Sequence, residues 1–346
     1  MTTDARRVLV LVEQLRGRVP GGIGTYVGGL LDADAAASVP ILRPWASGPI
    51  GRASRSMHLP SPLATRLVDH GLVRWPSRVA DGAVTVGHAT SLLVPARRRG
   101  QPPVTVFVHD LAWRSHPETF TASGRAWHEA AFGRACQRAD RFFVPSTATA
   151  DALTSAGVGA RLVHVTLEGA DHLTLKPRNP GEYLLSVSTL EPRKNLNRLL
   201  QAYVRSGVTV PLKIVGPKGW GDGFGETVPA GVELVGVVTA DRLADLYAGA
   251  LALLYVPLVE GFGLPAVEAM RAGCPVIASA VPSVGSAALV LDPLDVGAIA
   301  DAIKGLVESE PRREELAEAG KAHVAGLTWS ACLAAHREGW SALCLS

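Results

Sequence analysis

Glu260 and Glu268 frame a glycine-rich turn in the stretch LLYVPLVEGFGLPAVEAMRAGCPVIAS, residues 253–279. The apolar run 250–257 has the length and branching of a buried strand. Glu260-Gly261-Phe262-Gly263 then turns the chain, and a helix opens at Leu264-Pro265, where proline costs nothing because its missing N–H has no helical partner. Gly273 supplies a left-handed stop, and a second buried strand covers 275–278. Such a turn offers unpaired N–H groups and the positive end of a helix dipole, a setting suited to phosphate. An acid near a helix start is also a common stabilising feature, so Glu268 alone would carry little.

A second constellation lies upstream. A strand over 183–187 ends at Ser188, and Ser-Thr-Leu-Glu191-Pro-Arg193-Lys194-Asn195 leads into a helix over 196–206. A strand end, a helix N-terminus and two adjacent cations converge there. Arg193 can form a bidentate fork on a diphosphate, and Lys194 adds a point charge. In the first half, a strand over 104–108 ends at His109-Asp110, followed by Leu-Ala-Trp-Arg114. Polar groups at the carboxyl end of a strand in an open α/β sheet face the ligand crevice. After the first strand, 8–12, the glycines Gly21, Gly22 and Gly24 read as a loop running into a helix. They do not spell the dinucleotide fingerprint, and no acid stands where a ribose would need one. Only glycine, however, lets a backbone come that close to a ligand.

These segments share one resemblance. E-G-F-G-L-P-x-x-E-A-M-x-x-G-x-P-V, S-x-L-E-P-R-K-N, V-H-D-L and G-G-I-G-x-Y resemble the motifs of the retaining nucleotide-sugar glycosyltransferases of family four, the group 1 glycosyltransferases, and among them bacterial mannosyl- and rhamnosyltransferases. The resemblance implies an α/β GT-B fold: two facing Rossmann-like domains with parallel sheets and a cleft between them. It implies that Glu260, Gly261, Phe262, Gly263 and Leu264 hold the donor sugar, Glu268 the ribose hydroxyls, and Arg193 and Lys194 the diphosphate. Gly22 would approach that diphosphate from the first domain, and Val237 lies where relatives hold the base through backbone atoms. His109, Asp110 and Arg114 are implied on the acceptor side. Catalysis would fall to His109, Glu260, Arg193 and Lys194, independently of metal, with the nucleotide-diphosphate sugar as donor substrate and no other cofactor.

Two departures from the family pattern stand out. Glu168-Gly-Ala-Asp171 occupies the place of the relatives' Asn-Gly-Val-Asp, and Val281-Pro-Ser-Val-Gly285 is a shorter loop without their glutamate. Asp32-Ala-Asp34 has the D-x-D spacing that binds metal in another glycosyltransferase fold. Here it follows a helix and reads as a pair of solvated loop acids.

Strands alternating with helices in two halves imply two parallel sheets. The expected parts are an acceptor-side domain over 1–175, a nucleotide-sugar domain over 176–328, and a helix over 329–346 crossing back to the first. At 346 residues the length suits two domains. No apolar run reaches membrane-spanning length, and the N-terminus lacks a signal-peptide core. Four scattered cysteines read as thiols of a reducing cytoplasm. Up to His172 there are 19 arginines, no lysine and 13 acids, a net +6, whereas the remainder carries 15 basic residues and 18 acids. A basic first half could draw an anionic or lipid-linked acceptor, or place a cytoplasmic protein peripherally at the inner membrane face. Nucleic acid is not an expected partner. The reading is transfer of a hexose, with GDP-mannose as the donor type, to a glycan, lipid-linked or small-molecule hydroxyl. A nucleotide-sugar epimerase of the same fold and a catalytically inactive sugar-nucleotide-binding partner remain as alternatives.

Overall fold

Apolar runs of about four residues, rich in valine and leucine and bounded by polar or glycine residues, suit strands covered on both faces. The computed structural model describes residues 7–17, 21–48, 55–57, 59–80, 82–219 and 228–344. The chain forms two compact units, Met1–Leu111 with Ala122–Gly169 and Trp329–Ser346, and Ala112–Thr121 with Ala170–Thr328. The short segment Ala112–Thr121 thus groups with the second unit: Glu118 and Thr119 line one pocket with Asn195, Asn197 and Arg198.

The first unit holds strands β1 (Val8–Leu11), β2 (Leu42–Ala46) and β3 (Arg55–Ser56), then a small antiparallel ribbon of β4 (Arg78–Val79) and β5 (Gly82–Ala83). β6 (Val86–Ala89), β7 (Val104–Phe107), β8 (Arg141–Val144) and β9 (Val163–Val165) complete a parallel sheet ordered β3-β2-β1-β6-β7-β8-β9. The second unit holds β10 (Leu184–Val187), β11 (Leu212–Val215), β12 (Val232–Gly236), β13 (Ala252–Tyr255), β14 (Val276–Ala278) and β15 (Leu289–Val290). These are ordered β12-β11-β10-β13-β14-β15. In both sheets the strand order reverses beside the first strand, the doubly wound arrangement of Rossmann-like folds. Leu184, Leu254 and Ile277 of the second sheet pack against helices Leu196–Ser206 and Val296–Glu308 through Leu199, Ile299 and Ile303.

Three expectations need correction. The apolar stretch 83–86 reads as a buried strand, but the strand is β6, three residues later, because Gly87 and His88 interrupt its apolar run although both are buried. The glycines Gly21, Gly22 and Gly24 lie inside helix Gly21–Ala35 rather than in a loop before it. The stretch 46–76, where prolines, arginines and serines interrupt any period, reads as loops, yet it contains helix Ser61–Asp69. Among the described residues no helix is long and apolar enough to cross a membrane. Several arginines of the first unit serve the fold: Arg134 pairs with Asp69 at 2.6 Å, Arg97 with Asp140 at 2.5 Å, and Arg141 donates to the Gly339 carbonyl.

The last helix, Trp329–Cys344, lies against Gly21–Ala35, and Gly29 permits the approach, since a Cβ there would stand 2.2 Å from the Trp329 ring. A buried polar chain ties the two to the sheet. The Trp340 indole can only donate, and it donates to Thr105 Oγ1 at 3.3 Å. At the other end the Cys332 carbonyl can only accept, and it lies 2.9 Å from His336 Nδ1. With both imidazoles neutral, as burial favours, each group between has one hydrogen to pass on and the chain runs one way. Thr105 donates to His88 Nδ1 (2.8 Å), His88 Nε2 to Tyr26 Oη (3.0 Å), and Tyr26 to His336 Nε2 (2.8 Å). Burial is what favours the neutral imidazoles, pushing His88 well below its ordinary range and His336 down to about 3.

A base whose folded pKa is depressed contributes stability that is complete above its unfolded value of 6.5 and is lost as the pH falls towards the folded one. Urea unfolding should accordingly show stability declining below pH 6.5, with His336 adding at most about 1.4 kcal/mol per pH unit. His336→Gln, which cannot titrate, should have a shallower decline. Equal slopes in the two proteins would remove the neutral imidazole from the account.

Candidate active site

In a doubly wound sheet, ligands bind beyond the carboxyl ends of the strands where the order reverses. In the second unit that point lies between β10 and β13, and the loops leaving those strands carry the two constellations read from the sequence. After β10 a single 3-10 turn, Pro192–Lys194, precedes helix Leu196–Ser206, and Asn195 links them in a left-handed conformation, φ 60°. Its side-chain amide donates to the carbonyls of Val256 (3.0 Å) and Pro293 (2.7 Å), and the Leu258 amide donates to the Arg193 carbonyl at 2.9 Å. The two loops are thereby fixed to each other before any side-chain charge is counted.

The charges then meet across this joint. Lys194 Nζ donates to Glu260 Oε1, and the Tyr255 hydroxyl donates to the same oxygen at 2.9 Å. Arg193 stands 3.5 Å from Glu260 Oε2 and binds Glu191 through Nε (3.1 Å) and Nη2 (3.0 Å). Only 11% of the Glu260 side chain is exposed. Burial alone would raise its carboxyl pKa, but Lys194 and Arg193 outweigh that and hold it below the ordinary value. Burial beside this carboxylate keeps the Tyr255 phenol well above its usual range, so it remains a hydrogen-bond donor.

Gly261, Phe262, Gly263 and Leu264 are buried, and the turn passes into helix Leu264–Arg271. Gly263 has φ 105°, and a Cβ there would lie 2.8 Å from Val281 Cγ1. The shortened loop 281–285 is thus packed onto the turn, with the Ser283 amide donating to the Phe262 carbonyl (3.2 Å) and His323 Nε2 to the Ser283 carbonyl (2.8 Å). Glu268, on the second turn of the helix, is 5% exposed. Tyr247 donates to its Oε2 at 2.7 Å, and His172 Nε2 lies 3.1 Å from Oε1. Val237, after Gly236 at φ 76°, is 58% exposed. The Gly219-Trp-Gly segment resembles that of bacterial mannosyl- and rhamnosyltransferases, and its Trp220 and Gly221 lie outside the described residues.

In the first unit, His109 follows the carboxyl end of β7. Its Nε2 faces the Thr90 carbonyl at 3.1 Å, which can only accept, so that nitrogen carries hydrogen. Its Nδ1 faces Glu168 Oε1 at 3.5 Å. Glu168, the residue in place of the family's asparagine, is 3% exposed. Gly22 and Asp110 also belong to this unit, whereas Arg114, which is exposed, belongs to the second. The expectation of two solvated acids in D-x-D fails for Asp34, which is 3% exposed. It accepts from the Ile41 and Leu42 amides and pairs with Arg337 at 2.9 Å. Among the described residues no three acid, histidine or cysteine side chains are grouped to hold a metal ion.

Sequence reasoning did not single out Tyr255, Tyr247, His172, Glu168 or the left-handed Asn195 as site residues. One usable cue existed for Tyr255, a phenol closing an apolar strand at its carboxyl end. Tyr247 and His172 stand 21 and 96 residues from Glu268 and announce nothing by spacing.

Comparison with known proteins bears on the whole arrangement. Residues 20–172 match the family described as Glycosyltransferase Family 4, and residues 175–323 match Glycosyl transferases group 1. The O-antigen chain mannosyltransferase B of Escherichia coli is 38% identical over 184 residues, covering 45% of this chain and 48% of that one. The MMP alpha-(1->4)-mannosyltransferase of Mycolicibacterium hassiacum is 30% identical over 196 residues, covering 51% of this chain and 47% of its own. The chain thus spans about half the length of these curated relatives. Among solved structures, Anabaena HepE in complex with UDP and glucose superposes with a TM-score of 0.71 at 16% identity, over 97% of this chain and 100% of that one. Sucrose-phosphate synthase from Thermosynechococcus elongatus gives 0.74 at 18% identity, over 98% and 99%. At these identities the likeness concerns the fold, which is GT-B. With both of its halves matched, the chain belongs to the group 1 glycosyltransferases of the family-four type.

Proposed function

We propose that this chain transfers a hexose from a nucleotide-diphosphate sugar to a hydroxyl acceptor, with retention at the anomeric carbon. The observation that carries the reading is the joint of Arg193, Lys194 and Glu260 at the carboxyl edge of the second sheet, where the strand order reverses. The reaction must stabilise a departing diphosphate and a developing oxocarbenium ion together. Arg193, Lys194 and the amides of the glycine turn answer the first need by preorganised charge and dipoles. Glu260, kept ionised by the same two cations, answers the second from the sugar side. Glu191, the neighbouring carboxylate, is committed to Arg193. Front-face transfer, with the leaving phosphate taking the acceptor proton, therefore suits this group better than a covalent glycosyl-enzyme. His109, Asp110 and Arg114 are assigned to the acceptor side, and Val237 and Gly22 to the donor.

The donor is proposed to be of the GDP-mannose type, since two of the relatives, matched at 38% and 30% identity over about half of this chain, are mannosyltransferases. In a thermal-shift panel GDP-mannose should raise the melting temperature more than UDP-glucose or UDP-GlcNAc. A clear shift with UDP-sugars and none with GDP-mannose would reverse the donor assignment.

Transfer is proposed to need no metal, because Arg193 and Lys194 can meet the leaving charge. Activity should survive excess EDTA within about two-fold of the untreated rate, a change worth about 0.4 kcal/mol. Loss in EDTA with recovery in Mn²⁺ would overturn that part.

The two glutamates should differ in kind. Glu260→Gln removes charge beside the reacting ring and should lower kcat by roughly 10²–10³-fold, whereas Glu268→Gln should mainly raise the donor KM. Both changes conserve volume. Steady-state kinetics with varied donor decides the matter, and the opposite pattern would exchange the roles.

A further inference from the structure

Glu268 presents a carboxylate that is nearly buried yet has a hydrogen-bond donor at each oxygen. Tyr247, on helix Ala240–Gly249, is completely buried, and its single hydroxyl hydrogen goes to Glu268 Oε2 at 2.7 Å. His172, partly exposed just after the turn ending at Asp171, brings Nε2 to 3.1 Å from Oε1. A carboxylate oxygen accepts more than one hydrogen bond, so each oxygen keeps capacity for a further donor after its protein partner is served. With one fixed donor per oxygen, rotation of the carboxylate about its terminal bond is arrested. Its remaining lone pairs then have fixed directions, and two fixed acceptors side by side match a vicinal diol with two O–H donors.

We infer that His172 and Tyr247 are positioning residues that hold the Glu268 carboxylate in the orientation needed to accept from the ribose hydroxyls of the bound nucleotide. The inference rests on the donor reading above and extends it to two side chains that no motif marks. The competing role is structural: the two bonds could serve only to join helix Leu264–Arg271 to its neighbours. A structural tie would alter stability, or the affinity for all nucleotides alike. A positioning role couples to the ribose hydroxyl itself.

The experiment is a cycle between protein and ligand. GDP and UDP, each alongside its 2′-deoxy form, are titrated calorimetrically into wild type, His172→Ala, His172→Gln and Tyr247→Phe. Wild type should prefer the ribonucleotide by about ten-fold or more, and His172→Ala and Tyr247→Phe should each reduce that preference to about three-fold or less. His172→Gln, whose amide nitrogen reaches the position of Nε2, should keep most of it. Phenylalanine preserves the buried ring, so Tyr247→Phe carries the test even where His172→Ala is poorly folded. An unchanged preference in both His172→Ala and Tyr247→Phe overturns the inference while leaving the donor site in place. A wild type that binds both sugar forms equally overturns the ribose role of Glu268 and the positioning role with it. A wild type that binds neither nucleotide overturns the donor reading from which both follow.

Discussion

A carboxylate set into the carboxyl edge of a sheet must find cations, and that requirement at Glu260 shapes the second unit. Removing it from water is costly, and removing either cation would leave an uncompensated charge, a loss of about 3–5 kcal/mol in comparable buried pairs. Lys194 and Arg193 meet the requirement from a loop 66 residues away, and they can do so only because Asn195 clamps that loop to the backbone beyond β13. The left-handed conformation of Asn195, the only non-glycine residue with positive φ among the described residues, is part of the same device. A bound diphosphate would therefore meet cations already held in place rather than flexible surface side chains. Two cations against Glu191 and Glu260 make the group close to neutral.

The first unit solves polar burial differently. Its core carries a chain of hydrogen bonds through neutral groups running from Trp340 to the Cys332 carbonyl, both on the last helix. Running through Tyr26, His88 and Thr105, the chain ties helix Trp329–Cys344 to Gly21–Ala35 and the sheet. The arrangement is sensitive to protons in a way a hydrophobic contact would not be. The charged group of the second unit is sensitive instead to the loss of any one member.

Local signals were legible where local physics decides. Helix Leu196–Ser206 has the bounds expected from the sequence, and Ser146 caps its helix by accepting from the Thr149 amide. The glycine turn at Glu260 and the Arg193-Lys194 pair were legible because motif and spacing coincide with strand ends. What escaped was decided at long range. Tyr26 and His336 are 310 residues apart, and nothing near either tells that the phenol lies between two imidazoles. Asp34 looked solvated because its partners, two amides seven and eight residues on and Arg337, become visible only when the chain is folded. Strand β6 was misplaced for a related reason: a histidine counts against a buried strand until Tyr26 and Thr105 satisfy it.

The departures from the family pattern follow the same logic. Loop 281–285 lacks the relatives' glutamate, but the space is filled: Val281 and Ser283 are each 5% exposed and pack on Gly263, whose φ and close neighbour both demand glycine. A larger residue at 263 would push this loop away and shift the amides of the turn, so loop and turn form one unit in which a change on either side is felt by the other. Glu168 differs more in kind from the asparagine it replaces. An asparagine amide can both donate and accept, whereas a carboxylate only accepts. The replacement therefore removes a donor and places a carboxylate 3.5 Å from His109.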